Sequence, residues 1–152
     1  MENGNDSRII TYMMSLPPEL MVEYFVMNHR MIIDDAMYWN VLGTLWKMGG
    51  TVVQQELWKG LFQSNRKKRH KIMKKRERKR WRRLPETIVA YRAINNESEI
   101  DSAISWTLSM TIANEFSEDG KRKVVEKTFS KKDVFAFFDR RREEEILVNL
   151  AI

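Results

Sequence analysis

Five side chains in the C-terminal half have the types and spacing to do chemistry together. They are Arg92, which follows Tyr91, Ser105 and Thr107 on either side of Trp106, and the pair Glu143 and Glu145. An arginine can hold a phosphate through bidentate, charge-assisted hydrogen bonds that a lysine does not reproduce. Residues two apart on a strand share a face, so Ser105 and Thr107 would line up with Trp106 turned away. The same spacing would align Glu143 with Glu145 and turn Glu144 outward. The acids run straight into Ile146, Leu147 and Val148, and that abrupt change suits a site at the start of a buried strand. Each signal alone has a plainer reading. Arg92 can be a strand-end arginine paired with a surface carboxylate, and Ser105-Trp106-Thr107 can reflect nothing beyond β propensity. The run 140–145 can be a set of self-paired surface charges.

The elements that would position these residues follow from the pattern around them. After Leu84-Pro85, Thr87–Ile94 has the β-branched and aromatic content of a strand that ends near Arg92. Asn95 to Ser98 reads as a turn, and Ile104 to Leu108 as a short strand. Ser109 looks like the cap of a helix carrying Ile112, Ala113 and Phe116. Lys123 to Phe129 is a further strand, Asp133 to Phe138 a helical turn, and Glu145 to Leu150 a final buried strand. The first third reads as helical. Ser15-Leu16-Pro17-Pro18 is a start signal for a helix with Leu20, Met21, Tyr24, Phe25 and Met27 on its inner face. Met37, Tyr38, Val41, Leu42, Leu45 and Trp46 recur at helical spacing between Asp34 and Met48. Gly49-Gly50 supplies a stop, and Thr51 can cap a third helix that turns Val52, Val53, Leu57, Trp58 and Leu61 inward.

With 152 residues, 43% of them apolar, the chain can bury one real core and carry an appendage. The absence of cysteine excludes disulfides, thiolate chemistry and zinc ribbons. His29 and His70 are the two histidines and lack ligand spacing, so no metal site is expected. No apolar run approaches the roughly 20 residues that span a bilayer, and the polar start of the chain lacks the order of a secretory signal. The expected location is the cytoplasm. The net charge of +6 is segregated: residues 66–83 hold 13 Lys/Arg and one acid, Glu77, whereas the other 14 bases face 20 acids. That window is expected to be a helix with Ile72 and Met73 as its inward anchors.

Taken together, the order Tyr91-Arg92, Ser105-Trp106-Thr107 and Glu143-x-Glu145 resembles the catalytic set of the R-S-E mono-ADP-ribosyltransferases, in particular compact bacterial and phage members. The likeness covers about residues 84–150 and includes the Leu84-Pro85 lead-in, the helix after Thr107 and the spacer 132–137 before the acids. Trp39, Trp46 and Trp58 fit the helical lead-in of such phage proteins. The fold it implies is α+β: an N-terminal helical subdomain (1–83) containing the basic helix 66–83, followed by a compact split-sheet transferase core (84–152). The implied substrate is NAD, cleaved at the nicotinamide ribose so that ADP-ribose passes to a nucleophile.

The resemblance gives each residue a role. Glu145 is the catalytic glutamate, Glu143 positions and activates the acceptor, and Ser105 orients Glu145. Tyr91, Arg92, Ser105, Trp106 and Thr107 line the NAD site. Ala93 departs from the family, standing where relatives often have glycine, and Trp106 departs from the more frequent Ser-Thr-Ser. The implied partner is a host macromolecule, a protein or ribonucleoprotein, with arginine as the acceptor by analogy. A phage or mobile-element effector would act in the host cytoplasm on host machinery or defence. Arg66, Lys67, Lys68, Arg69, Lys74, Lys75 and Arg76 are the candidate partner-binding residues. The competing reading is a non-enzymatic protein that docks on nucleic acid or a ribonucleoprotein through this basic segment.

Overall fold

The computed structural model describes residues 4–49 and 54–150, so the expected stop at Gly50 and the start at Thr51 to Val53 lie outside the described residues. The chain is α+β and forms two compact units, Met1–Ile72 and Met73–Ile152. No helix among the described residues is long and apolar enough to cross a membrane.

The first unit is helical: α1 (Gly4–Met14), α2 (Pro18–Asn28), α3 (Asp35–Gly49) and α4 (Gln55–Phe62). Pro18 opens α2, where a missing N–H costs nothing. Tyr38, Trp39, Leu42, Leu45, Trp58 and Phe62 are all buried. Trp46 meets Trp58 edge-on at 5.1 Å, and Trp58 stacks on Phe62 at 6.0 Å. The Tyr38 hydroxyl donates to the Leu61 carbonyl at 2.6 Å, and burial pushes its pKa up to about 12. Helix α1 was not expected. It is tied down by Asp6, whose two oxygens accept from the backbone N–H groups of Ile33 (2.9 Å) and Asp34 (3.0 Å) just before α3. Leu20, Met27 and Leu57, expected to face inward, are exposed.

The second unit holds α5 (Lys75–Arg82), β1 (Thr87–Ile94), α6 (Glu99–Ser102), β2 (Ser105–Thr107), α7 (Met110–Phe116), β3 (Lys123–Ser130), β4 (Ala136–Phe138) and β5 (Glu145–Leu147). The strands form one antiparallel sheet in the order β3-β1-β2-β5-β4. β1 pairs with β3 along its whole length, whereas its register with β2 is the single pair Tyr91–Thr107. The Ser109 hydroxyl accepts from Ile112 N–H and starts α7 as expected, although Phe116 is exposed.

Three expectations are corrected. The basic window is not one helix. It contains a 3-10 turn at Arg69–Ile72 and the eight-residue α5, with Lys68 left-handed (φ 64°). Like charges three and four apart oppose a continuous helix, and the two inward anchors are divided, Ile72 to the first unit and Met73 to the second. Helix α5 therefore belongs with the sheet. The segment 133–138 is not a helical turn: a 3-10 turn covers Lys131–Asp133, and Ala136–Phe138 is a strand paired with β5. All three strand residues are buried, so no alternation marks them in the sequence. Strand β5 stops at Leu147 rather than Leu150, although Val148 N–H still bonds the Ile104 carbonyl.

Candidate active site

The register of the sheet lines up Tyr91, Thr107, Glu145 and Phe138 across β1, β2, β5 and β4. Residues directly opposite on antiparallel strands share a face, so Ser105, two along from Thr107, is the diagonal neighbour of Glu145. Its hydroxyl donates to Glu145 Oε2. The Glu145 residue is 8% exposed, so this charge-assisted bond acts where little water competes. The Thr107 hydroxyl donates to the Glu143 carbonyl at 2.6 Å and accepts from Ser109 N–H at 3.1 Å. Strand β2 thus holds the backbone of the acidic segment through Thr107 and its terminal carboxylate through Ser105. Leu108 N–H extends the ladder to the Glu144 carbonyl at 2.9 Å.

Arg92 comes next to Tyr91 and so lies on the opposite side of β1. Its Nη1 donates to the Ser105 carbonyl at 2.8 Å, and its Nη2 and Nε donate to Glu99 Oε1 at 2.9 and 3.2 Å. Hydrogen bonds therefore tie Glu99 to Arg92 and Arg92 to the Ser105 carbonyl, while the hydroxyl of the same serine separately reaches Glu145. Burial alone would raise the Glu99 pKa. The N–H groups of Asn95 and Asn96 and the Arg92 guanidinium outweigh it and hold the carboxyl below the usual carboxylate range. Glu99 was not picked out from the sequence. The available signal was an acid just past the turn that follows the Arg92 strand, where it can reach back.

Glu144 adopts a left-handed backbone (φ 45°), as does Arg142 (φ 57°), a conformation that side-chain-bearing residues rarely take. The extended run thus begins at Glu145, and Glu143 precedes the strand instead of sharing its alternation. Glu144 is held by Arg80 Nη2 on its carboxylate (3.0 Å) and by Asp139 Oδ1 on its N–H (3.1 Å). Trp106 takes the side of β2 opposite Ser105 and Thr107, buried 5.2 Å from Phe129, with its Nε1 donating to the Ala103 carbonyl at 3.0 Å. Ala93 is buried and its carbonyl accepts from Arg122.

The candidate partner-binding residues fall on both units. In the first, Arg66 is tied into the fold: it stacks over Tyr38 at 4.7 Å, donates to the His29 carbonyl at 2.8 Å and pairs with Asp35 at 3.5 Å. Lys67, Lys68 and Arg69 are exposed. In the second unit Lys74, Lys75 and Arg76 are exposed at the start of α5. Among the described residues no group of three His, Asp or Glu side chains could hold a metal ion. Comparison of the chain with protein-family models, with curated proteins and with solved structures finds no match.

Proposed function

We propose that the chain is a mono-ADP-ribosyltransferase of the R-S-E type, with Glu145 as the catalytic carboxylate and NAD as the donor. The observation that carries this reading is the Ser105 hydroxyl bonded to the Glu145 carboxylate, with Arg92 bonded to the backbone of the same serine. The five strands form one sheet, in which β1 and β2 meet at the registered pair Tyr91–Thr107, next to Arg92 and two residues from Ser105.

In the proposed reaction the bond between the nicotinamide nitrogen and ribose C1′ breaks. Its electron pair leaves with the neutral nicotinamide, and the sugar acquires oxocarbenium character. Glu145 stabilises that centre by accepting a hydrogen bond from the ribose 2′-hydroxyl, which strengthens as positive charge develops. The acceptor's lone pair then forms the new bond to C1′, and its proton passes to the Glu143 carboxylate. Ser105 is a positioning residue that keeps the Glu145 carboxylate turned to the ribose. The Arg92 guanidinium, on the opposite side of β1 from Tyr91, bonds Glu99 and the Ser105 carbonyl and so fixes the strand that carries Ser105.

A second reading, a protein that acts by binding alone, is favoured by the cationic surface of α5. The two separate on incubation of the purified protein with labelled NAD and a host-cell lysate, beside Glu145→Gln. A labelled macromolecule formed only by the wild type supports the transferase and isolates its target. Free ADP-ribose without a labelled band supports a glycohydrolase acting on water. No consumption of NAD overturns the enzymatic reading.

A further inference from the structure

The second unit carries a cleft of about 800 Å³ between α5 and the 139–142 loop, and not one residue lining it is apolar. Lys74, Arg76, Lys79 and Arg83 line it from the α5 segment, and Arg140 and Arg142 from the loop, with Arg80 between them. Only two acids lie among these cations, and both are spent inside the fold. Glu77 accepts from Lys74 N–H at 2.7 Å, Asp139 N–H at 2.8 Å and Arg140 Nε at 3.2 Å. Asp139 accepts from Glu144 N–H at 3.1 Å and pairs with Arg80 at 3.5 Å. The side chains of Lys74, Arg76, Lys79, Arg83 and Arg142 pair with no carboxylate among the described residues.

We propose that this cleft binds the phosphate backbone of a nucleic-acid duplex. Charge complementarity calls for a polyanion, and the lining decides which kind. Protein interfaces characteristically seat apolar or aromatic anchors at their centre, and no apolar or aromatic residue lines this cleft. A single strand held by stacking needs exposed aromatic faces. The nearby rings are turned to other uses: Phe137 is fully buried under the Arg80 guanidinium, and the half-buried Trp81 donates its Nε1 to the Val134 carbonyl. Unpaired guanidinium and ammonium groups without a stacking platform suit regularly spaced phosphates and leave base sequence unread. Arg80 joins the cleft to Glu144, so a docked duplex would lie beside the segment that leads into Glu145.

The test is fluorescence anisotropy of a short mixed-sequence duplex, RNA and DNA in parallel, titrated with the full chain between about 50 and 200 mM salt. Arg76→Ala with Lys79→Ala is compared with Lys121→Ala with Lys132→Ala, which removes equal charge from exposed positions elsewhere in the same unit. The expected result is that the cleft pair loses about tenfold or more in affinity and flattens the log–log salt slope by about two, while the control pair keeps the wild-type slope. All four side chains are exposed, so thermal unfolding should match the wild type in both variants. AT-rich and GC-rich duplexes should bind alike. Equal losses from the two pairs, no binding at the lowest salt, or a strong base preference would overturn the proposal. Tighter binding of polyglutamate than of the duplex would assign the cleft to an acidic protein instead and overturn it too. None of these readings requires NAD, so failure here and failure of the transferase assay are separate results.

Discussion

The Ser105 hydroxyl reaches the Glu145 carboxylate diagonally across the β2–β5 ladder, while Thr107 sits directly opposite Glu145 in register. The carboxylate is thus oriented by a residue other than its own ladder partner. A hydrogen bond to a charged group contributes about 1.5–3 kcal/mol. If Glu145 carries the reaction and Ser105 only aims it, Ser105→Ala should lower kcat by about ten- to a hundredfold with little change in KM. Glu145→Gln should cost more, about a hundred- to a thousandfold in kcat. Ser105→Thr, which keeps the hydroxyl, should recover most of the loss. Steady-state NAD turnover by the three variants checks this order, and a Ser105→Ala effect confined to KM would refute the positioning role.

Behind Ser105 stands the Arg92–Glu99 pair, and its pH dependence has a definite sign. The folded-state pKa of Glu99 is held below its ordinary value of 4.5. The folded state therefore binds the proton less readily than the unfolded chain, and the pair stabilises the fold above that ordinary value. This contribution is lost as pH falls through the lowered folded value. Thermal unfolding of the wild type and of Glu99→Gln between neutral pH and about pH 3 should show the largest gap near neutrality and convergence in acid. A gap that stays constant over the whole range would mean that Glu99 acts through packing rather than charge.

What could be read in advance depended on how local each cause is. Helices α2 and α3 and strands β1 and β3 are marked by side chains repeating over their own length, and they stand where the pattern puts them. Helix α1 owes its anchor to Asp6, which acts on backbone groups 27 and 28 residues away, and no local pattern records that. Strand β4 exists because β5 pairs with it, and full burial erases the alternation that would announce it. At the site, spacing could put Ser105 and Thr107 on one face of a strand, but the pairing of β2 with β5 is a long-range event. The left-handed turn at Glu144 that takes Glu143 out of the strand is set by Arg80 and Asp139, and neither lies within the acidic run.

The acid inside the basic segment is the most consequential residue of α5. Glu77 is 4% exposed, and its two oxygens take the N–H groups of Lys74 and Asp139 and the Arg140 guanidinium. It therefore caps its own helix and pins that helix to the loop ahead of Glu145. Glu77→Ala would take the carboxylate away from the half-buried Arg140 side chain and from two backbone donors. Removing one partner of a buried pair costs about 3–5 kcal/mol. Because α5 is otherwise held by few apolar groups, the loss should appear as a lower denaturation midpoint for the second unit. Glu77→Gln keeps an acceptor for the backbone donors but not the charge facing Arg140, so it should fall between wild type and alanine. Urea unfolding of the three proteins measures the order. A Glu77→Ala loss below about 1 kcal/mol, the net worth of a single ordinary hydrogen bond, would show that α5 is held to the sheet by other contacts.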